Sequence, residues 1–151
     1  DREKFANADR FPHAEEIVVD SIPEWLTRTQ LPAHAFAVIL TRGHRHDLDA
    51  MRALVPKPIR YLGLIGSRAK VIRLSEALAA EGIPPGQLQR VHSPVGLDLG
   101  AISPQEIAVS ILAEMIGVRY GKIDADSTRT DRSQARSLRW TPNEPQATVN
   151  G

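Results

Sequence analysis

Three uninterrupted apolar runs constrain the fold of this chain more than any other feature. They cover residues 17–19, 37–40 and 61–65, and none of them alternates apolar with polar side chains. Continuous apolar strands are typical of a parallel sheet that is covered on both faces, because neither side of such a strand meets water. The runs therefore predict three strands of a buried, mostly parallel sheet.

Helical stretches lie between the apolar runs. The spacing of apolar residues predicts helices over 23–30, 47–55 and 68–81, and a helical turn over 85–91. Ser21 and Ser67 stand at N-cap positions, while Pro56 and Gly82 end the second and third helices. Strands that alternate with helices predict right-handed crossovers. The expected architecture is a Rossmann-like, three-layer α/β/α domain.

The last helix has the clearest start signal in the sequence. Ser103 and Glu106 form a capping-box pattern, and Pro104 occupies the first helical position. Apolar residues then extend beyond one face, which predicts contacts on more than one side, and the helix is expected to end near Tyr120 with Gly121 as its stop. We expect one domain over residues 1–121, followed by a flexible polar tail over 122–151.

Composition excludes several functional classes. The chain has 151 residues and no cysteine, which excludes a disulfide framework, a cysteine-based zinc site and a cysteine nucleophile. Its 19 basic and 18 acidic residues leave a formal charge of +1, so its electrostatics predict neither nucleic-acid nor membrane binding. No apolar run approaches the roughly 20 residues of a spanning helix, and no signal peptide opens the chain. A cytoplasmic location is expected.

The first candidate loop follows the second apolar run. Its polar groups could contact an anion through Arg42, transfer a proton through a histidine, or bind a metal through His44, His46 and Asp47. A plain turn in which Asp47 caps the next helix is the alternative. Ligand contact is favoured, with Thr41, Arg42 and His44 as candidates, because parallel sheets bind ligands at the carboxyl ends of their strands. Metal ligation ranks last.

The second candidate loop follows the third apolar run. Gly66 permits a tight turn, Ser67 caps the following helix, and Arg68 and Lys70 add positive charge to its N-terminus. A phosphate or a pterin-type anion would suit this loop, but an ordinary capped turn has equal weight. Further along, His92 and Asp98 are ligand candidates, although a structural corner is favoured there. No residue is predicted to act as a nucleophile.

Three strands are fewer than the five or six of a usual doubly wound domain. In a dinucleotide-binding fold, the carboxylate that holds the ribose follows the second strand, about 20 residues after a glycine-rich turn. Asp1 would occupy that position if such a unit came before it. The sequence therefore predicts a Rossmann-like fold that lacks its first strand and glycine-rich turn.

Four stretches of sequence together resemble one protein family. They cover residues 1–12, 38–48, 61–70 and 91–114, beginning with DREKFANADRFP and including VILTRGHRHDL and YLGLIGSRAK. These stretches are similar to the C-terminal Rossmann-like domain of the XdhC/CoxI family, the xanthine dehydrogenase accessory factors. The resemblance runs in one order over about residues 1–121.

The resemblance implies a maturation factor that is not itself an enzyme. Such a factor binds the molybdenum cofactor, as molybdopterin or its dinucleotide, and works with a cysteine desulfurase that supplies the terminal sulfur. It then serves a molybdenum hydroxylase such as xanthine dehydrogenase, in the cytoplasm and as a homodimer. The resemblance assigns a role to no individual residue. The cofactor-binding candidates therefore come from the positions described above, and they are Asp1, Thr41, Arg42, His44, Gly66, Ser67 and Arg68.

Two other functions remain open at this point. A protein-interaction module would bind the hydroxylase through these loops without any small ligand. An NAD(P)-dependent oxidoreductase would share the same fold, since a fold alone does not decide function, and it ranks third.

Overall fold

The computed structural model describes residues 2–123, so Asp1 and residues 124–151 of the predicted tail lie outside it. The described elements follow one another as α1 (Ile22–Arg28), β1 (Phe36–Ile39), α2 (His44–Leu54), β2 (Tyr61–Leu64), α3 (Arg68–Ala80), α4 (Pro85–Leu88), β3 (Val91–His92) and α5 (Pro104–Arg119). The three strands form one sheet in the order β1-β2-β3, and both neighbouring pairs are parallel. The predicted Rossmann-like α/β architecture is confirmed.

The pleat of the strands divides their side chains between two apolar layers. In the register of the sheet, Phe36 lies opposite Tyr61 and Ile39 lies opposite Leu64. Alternate residues point to opposite faces. One face therefore packs against α1, α2, α3 and α4, with a core of buried residues that includes Ile39, Met51, Leu62, Leu64, Leu78 and Leu88. The other face packs against α5 through a smaller cluster that includes Tyr61, Val95, Ile111 and Val118.

One predicted strand is wrong and one observed strand was missed. Residues 17–19 form no strand and pair with no strand of the described sheet, and Val18 instead lines an apolar groove beside β1. A β-branched run favours extended backbone, but a strand also needs a neighbour that completes its hydrogen bonds. Val91 and His92 do have such a neighbour in β2, although glycine and proline surround them in the sequence.

The helix predictions are confirmed except at their boundaries. The predicted capping box of α5 is present, with Ser103 and Glu106 bonded reciprocally, and Gly121 adopts a positive φ of 65° after the helix. Helix α2 begins at His44, three residues before the predicted start, because Gly43 takes the N-cap position with a φ of 101°. Asp47 therefore lies inside α2 and is not its cap. Among residues 2–123, no helix combines the length and hydrophobicity that crossing a bilayer requires.

Candidate functional site at the carboxyl edge of the sheet

The loops that follow β1 and β2 meet through one buried carboxylate. Asp47, in the first turn of α2, is completely buried. Its Oδ1 accepts a hydrogen bond of 2.6 Å from the Thr41 hydroxyl, and its Oδ2 forms an ion pair with the Lys70 ammonium from α3. The same ammonium donates to the carbonyl oxygen of Ile65 at 3.2 Å. These contacts fix the two loops relative to each other.

Lys70 consequently has a structural role that differs from the expected one. The sequence suggested that its charge would attract an anion to the α3 N-terminus, but the charge is neutralised by Asp47. The position of the Lys70 side chain also favours glycine at residue 66, because a Cβ atom on Gly66 would lie 2.7 Å from Lys70 Cδ. The backbone of Gly66 is not left-handed, so close approach of the lysine side chain is what favours glycine.

Ser67 is the N-cap of α3, as predicted. Its hydroxyl oxygen accepts a hydrogen bond of 3.4 Å from the backbone N–H of Lys70, which satisfies one of the free donors of the first turn. Ser67 and Arg68 are both exposed beside this cap. The α3 N-terminus therefore resembles the ordinary capped turn that was the alternative to an anion site.

The α2 N-terminus differs from that of α3 because no side chain caps it. The Thr41 hydroxyl donates to Asp47 and to the Gly43 carbonyl, and Gly43, the N-cap residue, has no side chain that could accept from the first-turn N–H groups. His44 is the first residue of α2 and is exposed. An uncapped helix N-terminus directs its free N–H groups and a partial positive charge outward, which favours an anion.

Arg42 joins this loop to the beginning of the chain. Its guanidinium carbon lies 5.4 Å from the centre of the Phe5 ring. Arg10 lies at the same distance from that ring, with Arg2 at 5.7 Å and the Lys4 ammonium at 5.9 Å. Sequence reasoning missed this cluster because it considered only Asp1 in the opening segment. The basic residues on either side of Phe5 in the sequence are the signal that could have identified it.

The geometry does not assemble the metal ligands that were considered. His44 and His46 are exposed, whereas Asp47 is buried and paired with Lys70. Within residues 2–123, no group of three or more histidine or acidic side chains is placed to hold a metal ion.

A second polar cluster lies inside the domain, between β2, β3 and α5. Glu114 of α5 is completely buried and accepts hydrogen bonds from the Tyr61 hydroxyl at 2.6 Å and the Gly96 backbone N–H at 2.9 Å. Its other oxygen lies 3.0 Å from Nδ1 of His92, which is 1% exposed. The Tyr61 and His92 rings also contact each other, with centroids 4.5 Å apart. This cluster ties α5 to two strands.

The hydrogen bonds determine the ionisation of this cluster. Burial by itself would raise the pKa of Glu114, but His92, Tyr61 and Gly96 outweigh it and lower the pKa to about 2. Burial and the neighbouring carboxylate raise the pKa of Tyr61 above its ordinary value. His92 is thus a structural residue, which was the favoured interpretation of that segment. Glu114 was missed, although a single acidic residue in a long apolar stretch could have identified it.

The fold and the groups at the carboxyl edge of its sheet together define a class of protein. The chain forms a Rossmann-like parallel α/β domain whose candidate ligand-binding groups lie at the carboxyl edge of the sheet. Residues 1–115 match the family described as the XdhC Rossmann domain. The chain therefore belongs to the XdhC Rossmann domain family, as the resemblance predicted.

Two bacterial relatives share this domain. The chain is 33% identical over 118 residues to a probable xanthine dehydrogenase subunit of Bacillus subtilis strain 168, covering 78% of the chain and 34% of that protein. It is 40% identical over 81 residues to the uncharacterized protein YqeB of Escherichia coli K12, covering 54% of the chain and 15% of that protein. The chain thus spans about a third or less of these relatives.

A solved structure has the same fold. The crystal structure of a xanthine dehydrogenase from Bacillus halodurans is similar with a TM-score of 0.69 and 31% sequence identity. The match covers 84% of this chain and 36% of the other chain. Fold and sequence therefore agree on the family.

Proposed function

We propose that this domain belongs to an accessory factor that helps a molybdenum hydroxylase of the xanthine dehydrogenase type to mature. The proposed tasks are binding the molybdenum cofactor and assisting its sulfuration and insertion. The observation that carries the proposal is the family match over residues 1–115. The names of the B. subtilis and B. halodurans relatives support the same association with xanthine dehydrogenase.

The residues at the carboxyl edge suit the phosphate-bearing end of such a cofactor. The uncapped α2 N-terminus and the exposed Arg42 supply donors and positive charge, and Ser67 and Arg68 border the same edge. Thr41 and Lys70 would hold the loops in place through Asp47. When bound, the cofactor would supply the redox chemistry of the hydroxylase, while this chain would bind and orient it.

The proposal includes protein partners. A cysteine desulfurase would supply the sulfur, as the resemblance to the XdhC/CoxI family implies. The outer face of α5 supports a homodimer or hydroxylase contact, since Val109, Leu112, Ile116 and Tyr120 are all more than half exposed there. Exposed apolar patches on a folded domain mark interaction surfaces. The proposed location is the cytoplasm.

Titration with released molybdenum cofactor tests the proposal. We expect tryptophan fluorescence to change on binding and molybdenum to stay with the protein after gel filtration, whereas NAD run in parallel should have no effect. The variant Arg68→Ala should retain less molybdenum than the unchanged chain. Binding of NAD without retention of molybdenum would overturn the proposal and favour an oxidoreductase.

A protein-interaction module is the second candidate, and the exposed apolar face of α5 is the observation that favours it. In that case His44→Ala and Arg68→Ala would leave the affinity for the cofactor unchanged. The same variants would weaken capture of the purified hydroxylase. Measuring both properties on one set of variants distinguishes the two candidates.

A further inference from the structure

We propose that residues 137–141, which follow the described domain in the sequence, add a fourth strand to the free edge of β1. Leu138 and Trp140 are the side chains of this segment that enter the apolar groove beside that edge. The occupant of the groove is therefore a segment of the same chain. This inference does not rest on the proposed function, because it requires neither a cofactor nor a hydroxylase.

The first observation is that β1 has an unpaired edge. Within residues 2–123, β1 pairs with β2 alone. The carbonyl oxygens of Ala35 and Ile39 accept hydrogen bonds from the β2 side. Backbone groups alternate in direction along a strand, so those of Phe36 and Val38 point to the free edge. Because β1 has neither a charged residue nor a proline to protect this edge, we expect another segment to cover it.

The second observation is the apolar groove that follows this edge. It has a volume of about 440 Å³, and residues of β1, α1 and α2 line it. Asp20 is the one charged residue in the described lining, and it is paired with Arg28. Leu40, directly after β1, lines the groove and is 62% exposed. An open apolar groove of this size has room for large apolar side chains.

The third observation is the place where the chain leaves the described domain. Arg60, directly before β2, donates a hydrogen bond of 2.8 Å to the Arg119 carbonyl, so α5 ends at the amino edge of the sheet. Ile123 then packs in the apolar cluster between the sheet and α5. Phe36 and Val38 of β1 belong to the same cluster and are only half-buried. The chain therefore leaves on the face of the sheet where β1 is incompletely covered.

The topology favours a parallel strand at this position. Helices α2 and α3 connect the strands across one face of the sheet, whereas α5 lies on the other face. A connection that returns across the α5 face to the free edge of β1 is right-handed, as β-α-β connections almost always are. Residues 124–136 would form the link, and at roughly 3.3 Å per extended residue they can span three strands about 4.8 Å apart.

The sequence of residues 137–141 has the pattern of an edge strand. Leu138 and Trp140 alternate with polar residues at 137, 139 and 141, so both large apolar side chains point to one side of an extended segment. They are the only large apolar residues in the sequence between positions 124 and 148. Pro142 follows directly and ends the pairing, because proline has no N–H group to donate.

The fluorescence of Trp140 tests the inference on the full chain. The chain contains two tryptophans, so the variant Trp25→Phe leaves Trp140 as the only reporter. We expect Trp140 to emit at shorter wavelength than in urea and to be quenched severalfold less by acrylamide, because the groove shields its ring from water. Adding Leu40→Glu should move both properties close to their values in urea, since a charge in the groove opposes burial of the indole.

Leu112→Glu is the matched control in the same background. Leu112 is similarly exposed, at 56%, but it lies on the outer side of α5. This variant should leave the emission of Trp140 unchanged. Within the proposed strand, Leu138→Glu should expose Trp140 as Leu40→Glu does, whereas Val149→Glu, beyond Pro142, should not. Thermal melts establish that each variant is folded.

Four results would overturn the inference. The first two are Trp140 emission in the folded chain equal to that in urea, and an unchanged spectrum in Leu40→Glu. The third is exposure of Trp140 by Leu112→Glu, which would indicate that the segment covers α5. The fourth is a shift to longer wavelength on dilution, which would indicate that the groove binds a segment of a second copy. Constant emission over the dilution series supports a strand from the same chain.

Discussion

At the scale of single residues, Glu114 shows how a charged group is tolerated inside an apolar domain. A buried carboxylate is costly unless hydrogen bonds replace its lost hydration. Tyr61, Gly96 and His92 supply these contacts from three different parts of the chain. The carboxylate therefore fixes the position of α5 against the sheet through specific partners, in addition to the apolar contacts of the helix.

The depressed pKa of Glu114 predicts a specific loss of stability in acid. Folding lowers this pKa from an ordinary value of 4.5 to about 2, so the unfolded chain binds the proton more readily. The stabilising contribution is complete above about pH 4.5 and is lost as the pH falls towards 2. We expect Glu114→Gln to lower the free energy of unfolding at neutral pH by about 1–3 kcal/mol and to remove this part of the acid dependence.

Urea unfolding at a series of pH values measures the effect of Glu114. Glu76→Gln is the control, because Glu76 is an exposed residue of α3 outside the buried cluster. Its unfolding curves should follow those of the unchanged chain. An acid dependence in Glu114→Gln as steep as in the unchanged chain would contradict the assignment.

At the scale of elements, the close approach of β2 to the segment before α5 depends on Gly63. A Cβ atom at Gly63 would lie 2.5 Å from Val95 Cγ2 and 3.0 Å from the Tyr61 ring. The Ser93 hydroxyl also donates to the Leu64 carbonyl at 2.9 Å, and the Val95 N–H donates to the same oxygen at 3.2 Å. The strand and the segment are thus packed too closely for any side chain at position 63.

We expect Gly63→Ala to destabilise the domain by about 1–3 kcal/mol, because the added methyl group must displace Val95. Thermal unfolding measures the change. Gly86→Ala is a matched control on α4, where a Cβ atom would meet nothing within 4 Å and φ is not left-handed. That variant should be neutral or slightly stabilising. Equal stability of the two variants would contradict a packing role for Gly63.

At the scale of the whole molecule, the two faces of the sheet are covered unequally. One face is covered by several helices and contains the larger core, while α5 covers the other. Helix α5 buries Ile111 and Val118 on its inner side and exposes Leu112 and Ile116, at 56% and 57%, on its outer side. A helix that is apolar on both sides is usually buried on both sides.

We expect the outer side of α5 to mediate self-association. The double variant Leu112→Glu, Ile116→Glu should shift the chain towards the monomer in light scattering coupled to gel filtration, because two charges would then have to be desolvated at the contact. Its thermal stability at high dilution should be nearly unchanged, since both residues are exposed. Gln30→Glu, on an exposed position outside α5, is the control and should not alter the mass. Identical masses for all three proteins would contradict the expectation.

Local sequence signals predicted most elements of the fold. The Ser103 to Glu106 capping box, the Ser67 cap and the apolar runs at residues 37–40 and 61–65 act within a few residues of one another. The predictions failed for segments whose secondary structure depends on a pairing partner far away in the sequence. Residues 17–19 are β-branched but pair with no described strand, whereas β3 is short and forms because β2 lies beside it.

The candidate site also combines features set by neighbouring residues with features set by residues far apart in the sequence. That the loops at Thr41–Asp47 and Gly66–Ser67 lie at one edge of the sheet was readable from the sequence, because strand ends in a parallel sheet share an edge. Three other features could not be read from the sequence. They are the ion pair between Lys70 and Asp47, the position of Arg42 and Arg10 around Phe5, and the burial of Glu114. Each joins residues that are far apart in the chain.

The sequence by itself determined the class of fold, the main helices and the family, since these depend on periodicity, caps and motifs that neighbouring residues specify. Only the tertiary structure decided which charges are neutralised and which stay available. The contacts of Lys70 and Arg42 and the lowered pKa of Glu114 depend on groups brought close by folding, and electrostatic interactions are governed by that distance and by burial.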